Sequence, residues 1–251
     1  MPEPIKWGLL GYPLGHSFSK PYFIEKFRRK GLSHHHYILL ELPQIELLPE
    51  ALSAEPELKG FNVTIPYKEK VMAYLDDLDP LAEAIGAVNV VKKIGSTWKG
   101  FNSDYHGFRV SLEHMLAGKN PKKALVLGSG GASKAVNKAL HDMGISATTV
   151  GREPSPGKLS YEDLHRRTEL LREHRLIVNC TPLGTSPATD TCPDIPFNHL
   201  SSEHFLFDLV YNPAETLFMK KGKEIGAQVK NGWEMLVLQA EKAWEIWNSP
   251  L

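Results

Sequence analysis

An ammonium and a carboxylate stand out in this chain, because each follows a short polar segment suited to presenting it at a strand edge. Lys68 closes Asn62-Val63-Thr64-Ile65-Pro66-Tyr67-Lys68, where polar and apolar residues alternate until a proline ends the strand. Asp104 closes Gly100-Phe101-Asn102-Ser103-Asp104, which reads as a turn leading into a helical pattern. One cation and one carboxylate, each preceded by Asn and a hydroxyl residue, suit recognition of a polyhydroxylated small molecule and proton transfer on it.

The elements that must position these groups show as apolar runs. Strands are expected at Lys6-Leu10, Tyr37-Leu40, Phe61-Thr64, Val88-Val91, Ala124-Leu127, Ala147-Val150, Leu176-Asn179 and Leu206-Leu209, with helical stretches between them. Such alternation predicts an α/β fold with largely parallel sheets. Ala124 to Val150 has the form of one βαβ unit. A turn-rich linker, Ala117-Gly118-Lys119-Asn120-Pro121, follows a helix expected over Tyr105 to Leu116, and a domain change is placed near that helix. The last helix, about Trp233 to Trp247, spaces Trp233, Leu236, Val237, Ala240, Ala243, Trp244 and Trp247 as one buried face. Glu153-Pro154-Ser155-Pro156-Gly157 reads as a surface loop, and Thr185 to Pro196 as a proline-rich connection.

Gly128-Ser129-Gly130-Gly131-Ala132-Ser133 stands between the strand ending at Leu127 and a helix. Gly128 permits a tight turn, Gly130 lets backbone amides approach a pyrophosphate, and the helix N-terminus adds its partial positive charge. Ser133 is small enough for close packing of helix on strand. Strand before and helix after make this a dinucleotide-type loop, so the chemistry expected is hydride transfer. Beyond the second strand lie Gly151-Arg152-Glu153. Arg152, with Lys158 nearby, suits the 2′-phosphate of NADP, whereas Glu153 suits the free ribose hydroxyl of NAD.

Composition sets bounds on the partners. The 251 residues allow one large domain or two modest ones. Lys+Arg and Asp+Glu are both 29, so no charge excess points to nucleic acid or an anionic membrane. No signal peptide or spanning run is visible at or after Met1-Pro2-Glu3-Pro4. Cys180 and Cys192 fit a reduced, cytoplasmic protein. His34, His35 and His36 lack a partnering Cys or carboxylate pattern, so no metal is expected and they read as a solvated strand entrance. His16 reads as tying down its loop, Cys180 as packing, and Tyr67 and Tyr105 as walls beside the reactive pair.

Taken in order, the segments resemble the shikimate dehydrogenase family. They are Gly11-Tyr12-Pro13-Leu14-Gly15-His16-Ser17-Phe18-Ser19, Phe61 to Lys68, Gly86-Ala87-Val88-Asn89, Gly100 to Asp104, the glycine loop, Asn179-Cys180-Thr181-Pro182-Leu183-Gly184, Asp208-Leu209-Val210-Tyr211-Asn212-Pro213 and Met235-Leu236-Val237-Leu238-Gln239-Ala240. The resemblance implies two domains: an N-terminal α/β substrate domain over 1–105, joined by the C-terminal helix 233–251, and a Rossmann-type NADP domain over 106–232. It implies reduction of 3-dehydroshikimate by NADPH in the cleft between them, on the route to chorismate and the aromatic amino acids. By match of position, Ser17 and Ser19 would bond the shikimate carboxylate. Asn62, Thr64, Asn89 and Gln239 would contact its hydroxyls or carboxylate, with Tyr211 near the carboxylate. Lys68 and Asp104 match the catalytic pair, and Thr181 and Gly232 join the glycine loop and Arg152 on the cofactor side. The chain departs from the family's pattern at Lys20, Ser103, Gly151, Glu153 and Thr185.

The residue chemistry agrees with those roles. A carboxylate held without arginine needs several neutral donors, which two hydroxyls at alternate positions supply. Hydride delivered to a carbonyl leaves charge developing on oxygen, which an ammonium stabilises. Whether Lys68 itself gives the proton or polarises a water that does is left open, as is the choice of monomer or homodimer. The alternatives are a quinate/shikimate dehydrogenase using NAD and a non-catalytic sensor of shikimate-pathway metabolites.

Overall fold

The computed structural model describes residues 3–250 apart from 16 and 154–156, so the roles expected for His16 and for the Pro154–Pro156 loop lie outside the described residues. The chain divides into two compact units, one of Met1–Ser103 with Ala240–Leu251, the other of Asp104–Gln239.

The first unit runs β1 (Ile5–Gly11), α1 (Ser19–Arg29), β2 (His35–Glu41), α2 (Leu48–Ser53), β3 (Leu58–Val63), β4 (Asp77–Leu78), α3 (Pro80–Ile85), β5 (Val90–Ile94) and β6 (Thr97–Phe101). Its sheet has the order β2-β1-β3-β5-β6-β4. β2, β1 and β3 are parallel, while β5 runs antiparallel to both β3 and β6. Alternate residues enter opposite cores, as the pleat requires. Val91, Leu10 and Phe61 pack on one face, and Val90, Trp7, Phe23 and Tyr37 on the other. Burying a side chain such as Phe23 contributes roughly 3 kcal/mol. Helix α3 shows why its boundaries fall where they do. Asp79 Oδ1 accepts from Leu81 N at 3.0 Å, Pro80 occupies the first turn, and Gly86 closes the helix at φ 70°.

The second unit runs α4 (Asp104–Leu116), β7 (Lys123–Leu127), α5 (Gly131–Asp142), β8 (Ser146–Gly151), β9 (Lys158–Ser160), α6 (Tyr161–Arg166), α7 (Glu169–Glu173), β10 (Leu176–Asn179), β11 (Phe205–Asp208), α8 (Leu217–Glu224), β12 (Gln228–Lys230) and α9 (Trp233–Asn248). The order β9-β8-β7-β10-β11-β12 is that of a doubly wound dinucleotide fold, and its pairings are parallel. Both faces are covered: Val126 and Val178 enter one core, Leu125 and Ile177 the other. Burial on both sides explains why these strands read as continuous apolar runs. Residues of α9 from Ala240 onward belong to the first unit, where Trp247 lies on the sheet. A Cβ at Gly60 would fall 2.6 Å from Trp247 Nε1, which instead donates to Val91 O at 3.0 Å.

Several expectations shift. β3 ends at Val63, before Thr64 and well before Pro66, so Lys68 sits on a turn beyond the strand. Gly100 and Phe101 belong to β6, and Asp104 opens α4 rather than closing a turn. β5 begins at Val90, leaving Val88 and Asn89 ahead of it. β4, β6, β9 and β12 carry no strong apolar signal: each is short or, like β6, polar at its start. Trp233 is 50% exposed, because burial along α9 begins only at Met235. His35 is half-buried and tied to the core: its Nδ1 accepts from Trp7 Nε1 at 3.0 Å, and burial lowers its pKa.

Candidate active site

In the first unit the antiparallel turn of β5 and β6 brings four chain segments to one end of the sheet. The carboxyl ends of β1, β3 and β6 lie there with the amino end of β5. Ser17, Ser19, Asn62, Thr64, Lys68 and Asn89 are all carried by that end or by the segments leaving it. The turn bearing Lys68 is fixed by its backbone. Thr64 N donates to Leu10 O at 2.8 Å, Tyr67 N to Thr64 O at 2.9 Å, and Val88 N to Lys68 O at 2.7 Å. Tyr67 is buried and its hydroxyl donates to Leu42 O at 2.6 Å, so it anchors the turn as a packing residue.

The amides in this end are oriented by neighbours. Asn89 Oδ1 accepts from Ser103 N at 2.6 Å, and its Nδ2 donates to Ser103 Oγ at 3.0 Å. Asn62 Oδ1 accepts from Tyr37 Oη at 2.8 Å and its Nδ2 donates to Asn89 O at 3.4 Å, so neighbours fix which end of the amide donates. Burial raises the Tyr37 phenol well above its usual range, while a hydrogen bond from Ser19 opposes that rise. Tyr37 thus joins Ser19 of α1 to Asn62 of β3. Among the described residues Ser17 Oγ is buried without a hydrogen-bond partner, a polar group suited to an incoming acceptor.

The second unit carries Asp104 and Gln239. A Cβ at Gly107 would lie 2.6 Å from Met235 O and 3.0 Å from Gln239 N, so α4 and α9 touch backbone to backbone there. Asp104 precedes Gly107 by one turn on the same helical face, which sets Asp104 and Gln239 on the side where the two helices meet. Ser111 Oγ donates to Glu234 Oε2 at 2.8 Å, which fastens the same two helices, and Lys230 Nζ of β12 donates to Ser111 O at 3.0 Å. Asp104 is buried. Tyr211 is partly buried, and burial raises its phenol. Tyr105 packs partly buried against the core of this unit, and its hydroxyl donates to Asp142 Oδ2 at 2.9 Å.

A dinucleotide fits the same unit. The order of strands reverses between β7 and β10, where such ligands bind in doubly wound sheets. Gly128, at φ 105°, makes the turn after β7, and its N donates to Val150 O at 2.8 Å. No described atom lies within 4 Å of a Cβ built at Gly130, so the backbone there is open to a close ligand. The N-cap of α5 is Gly130, which has no side chain to cap the helix; Ser133 N bonds Gly130 O at 3.0 Å, and the amides ahead of it suit an anion. Ser133 is buried, with Oγ donating to Gly130 O at 2.6 Å. Arg152 and Glu153 follow β8 directly and are exposed. Thr181 lies across the crevice, its Cγ2 3.1 Å from a Cβ at Gly128. Gly232 is needed for another reason: a Cβ there would sit 2.1 Å from Leu209 O. Burial raises the Cys180 thiol, so it is an inert packing group. Among the described residues no group of three metal-ligating side chains is placed to hold an ion.

Sequence patterning does not single out Tyr37, Asn179 and Asp208 as working side chains. Tyr37 reads there as one more apolar strand residue. Asn179 and Asp208 end two apolar strands, and a polar residue at the end of a buried parallel strand is the available signal.

The chain is similar along most of its length to known proteins. Residues 9–91 match the family model for the shikimate dehydrogenase substrate binding domain. A shikimate dehydrogenase (NADP(+)) of Halothermothrix orenii is 36% identical, covering 96% of this chain and 89% of the relative. One of Symbiobacterium thermophilum is 37% identical, covering 96% and 87%. The crystal structure of shikimate 5-dehydrogenase from Thermus thermophilus in complex with NADP(H) and shikimate superposes with a TM-score of 0.82 at 33% identity, covering 98% of this chain and 94% of that one. The chain belongs to the shikimate dehydrogenase family.

Proposed function

We propose that this protein is an NADP-dependent shikimate dehydrogenase, reducing 3-dehydroshikimate to shikimate on the route to chorismate. The observation that carries this is the presence of Lys68, Asp104 and the oriented amides Asn62 and Asn89 in a chain that is 36% identical overall to a relative of that name. The Met1–Ser103 unit would take the substrate and the Asp104–Gln239 unit the dinucleotide. Ser17 and Ser19 would donate to the substrate carboxylate, and the NH2 of Asn62 would present a further donor. Thr64, Asn89, Tyr211 and Gln239 would complete the recognition of its oxygens. Lys68 would stabilise the oxygen that gains charge in the reduction and deliver a proton to it, directly or through a polarised water. Asp104 would orient the ammonium and hold a substrate hydroxyl. The nicotinamide, when bound, supplies the hydride. Gly128 to Ser133, Thr181 and Gly232 would shape its seat, with Arg152 reading the 2′-phosphate.

The enzyme would act on a free small molecule in the cytoplasm, as a monomer or a homodimer. Among the described residues no helix is long and apolar enough to cross a membrane. The exposed Glu153 beside Arg152 favours a second reading, a quinate/shikimate enzyme using NAD. Initial rates with shikimate and quinate, each with NADP+ and NAD+, separate the two. The first reading requires shikimate with NADP+ to be fastest, and faster turnover of quinate with NAD+ would replace it. Arg152→Gln should raise the KM for NADP+ about tenfold while leaving that for NAD+ nearly unchanged, the size of a lost charge-assisted contact.

A further inference from the structure

A buried hydrogen-bond chain beside the glycine turn has a fixed polarity. Asp208 ends β11 and is fully buried. Its Oδ1 accepts from Asn179 Nδ2 at 2.9 Å and from Val210 N at 3.0 Å, and its Oδ2 accepts from Thr216 Oγ1 at 2.6 Å. An ionised carboxylate can only accept, so Asn179 must turn its NH2 towards Asp208. Asn179 Oδ1 then faces the opposite way, where Thr181 donates to it from Oγ1 at 2.6 Å and from N at 3.0 Å. The single hydroxyl proton of Thr181 is thereby committed. Its oxygen receives Leu183 N at 3.3 Å and has only acceptor capacity left to offer. That oxygen belongs to the residue whose methyl group borders Gly128.

We propose that Asp208 is a positioning residue which, through Asn179, fixes Thr181 as a hydrogen-bond acceptor towards the bound dinucleotide. Thr181 then takes a donor group of the dinucleotide, a ribose hydroxyl or the carboxamide NH2, and turns away phosphate oxygens, which only accept. The inference rests on the dinucleotide reading given above. A purely structural role is the competing account, since Asn179 and Asp208 are paired in register on adjacent strands. That role would lower stability without separating the two substrates' KM values.

The test is steady-state kinetics with NADP+ and shikimate on four proteins: the native chain, Asp208→Asn, Thr181→Val and the double variant. A neutral amide at 208 can present either end, so the chain loses its polarity. Asp208→Asn is expected to raise the KM for NADP+ about tenfold, the size of a lost net hydrogen bond, with kcat and the shikimate KM within about twofold. In the Thr181→Val background the same change should add less than about twofold, because its route of action is gone. An unchanged KM for NADP+, an equal shift in both backgrounds, or both KM values rising together overturns the proposal. Should Asp208→Asn fail to fold, Thr181→Ser and Thr181→Val decide it. Serine keeps the acceptor and should hold the native KM for NADP+, valine should raise it about tenfold, and equal values refute the assignment. A native protein that reduces no NADP+ with shikimate removes the dinucleotide reading itself, which is a different failure.

Discussion

The two units build their sites from different materials. At the sheet end of the first unit, the candidate groups are side chains held by other side chains: Asn62 by Tyr37, and Asn89 by Ser103. In the second unit the candidate seat is mostly backbone, a positive-φ turn at Gly128 followed by the amides that open α5. A shikimate-like ring carries several oxygens in a fixed pattern, which only oriented side chains can read. A pyrophosphate is an extended anion, which a row of amides and a helix dipole satisfy without any side chain. Substitutions should therefore act through polarity at the sheet end of the first unit and through space at the glycine turns of the second.

The largest effect expected is that of Lys68→Ala, a loss of about 10³ in kcat with the shikimate KM changed only a few-fold, because the ammonium acts mainly on the developing charge. Rapid-mix or steady-state assays read this split, and near-native turnover would remove Lys68 from the chemistry. Gly232→Ala comes next and tests the spatial half of the comparison. With a Cβ 2.1 Å from Leu209 O, the backbone must move, at a cost of about 3 kcal/mol. Urea unfolding measures it, and a midpoint equal to native would show that the segment yields freely.

Tyr37→Phe sharpens the polar half. The ring stays stacked on Phe23, with centroids 4.8 Å apart, while Asn62 loses the donor that fixes its amide. The KM for shikimate should rise about five- to tenfold, with the KM for NADP+ unmoved. A rise in the cofactor KM instead would blur the separation between the two materials. The smallest effect concerns pH. Burial pushes Asp208 up to about 6, against the opposing bonds from Thr216, Val210 and Asn179. An unfolded Asp titrates near about 4, so the native state holds this proton more tightly. That share of stability is complete below the unfolded value and is lost as the pH rises through the folded one. Unfolding free energies should therefore show the native protein losing ground to Asp208→Asn between about pH 4 and about pH 7, and parallel values would deny the shift.

Much of this is legible in the chain. The glycine loop declares itself because a strand, a small-residue turn and a helix start are all local signals, and the structure shows Gly128 and α5 at the expected places. The all-parallel second sheet shows as runs of apolar residues, since strands buried on both faces have no polar side to display. Less visible are features made by distance. β6 pairs with β5 through the short turn at Gly95, and its polar start hides it. Trp233 has the right helical spacing for a core but lies at the end of α9 beyond the covering residues. The links Tyr37 to Asn62 and Asn179 to Asp208 join residues on different strands, and single-strand patterning contains no term for such pairs.

The central claim is that the oriented amides, Lys68 and the dinucleotide seat serve one hydride transfer on shikimate. Incubating the protein with shikimate and NADP+ while following absorbance of the reduced nicotinamide tests it most directly. NADPH should form in proportion to shikimate consumed, and it should do so faster than NADH from NAD+. Tight binding of shikimate with no reduced nicotinamide under either cofactor would contradict the account.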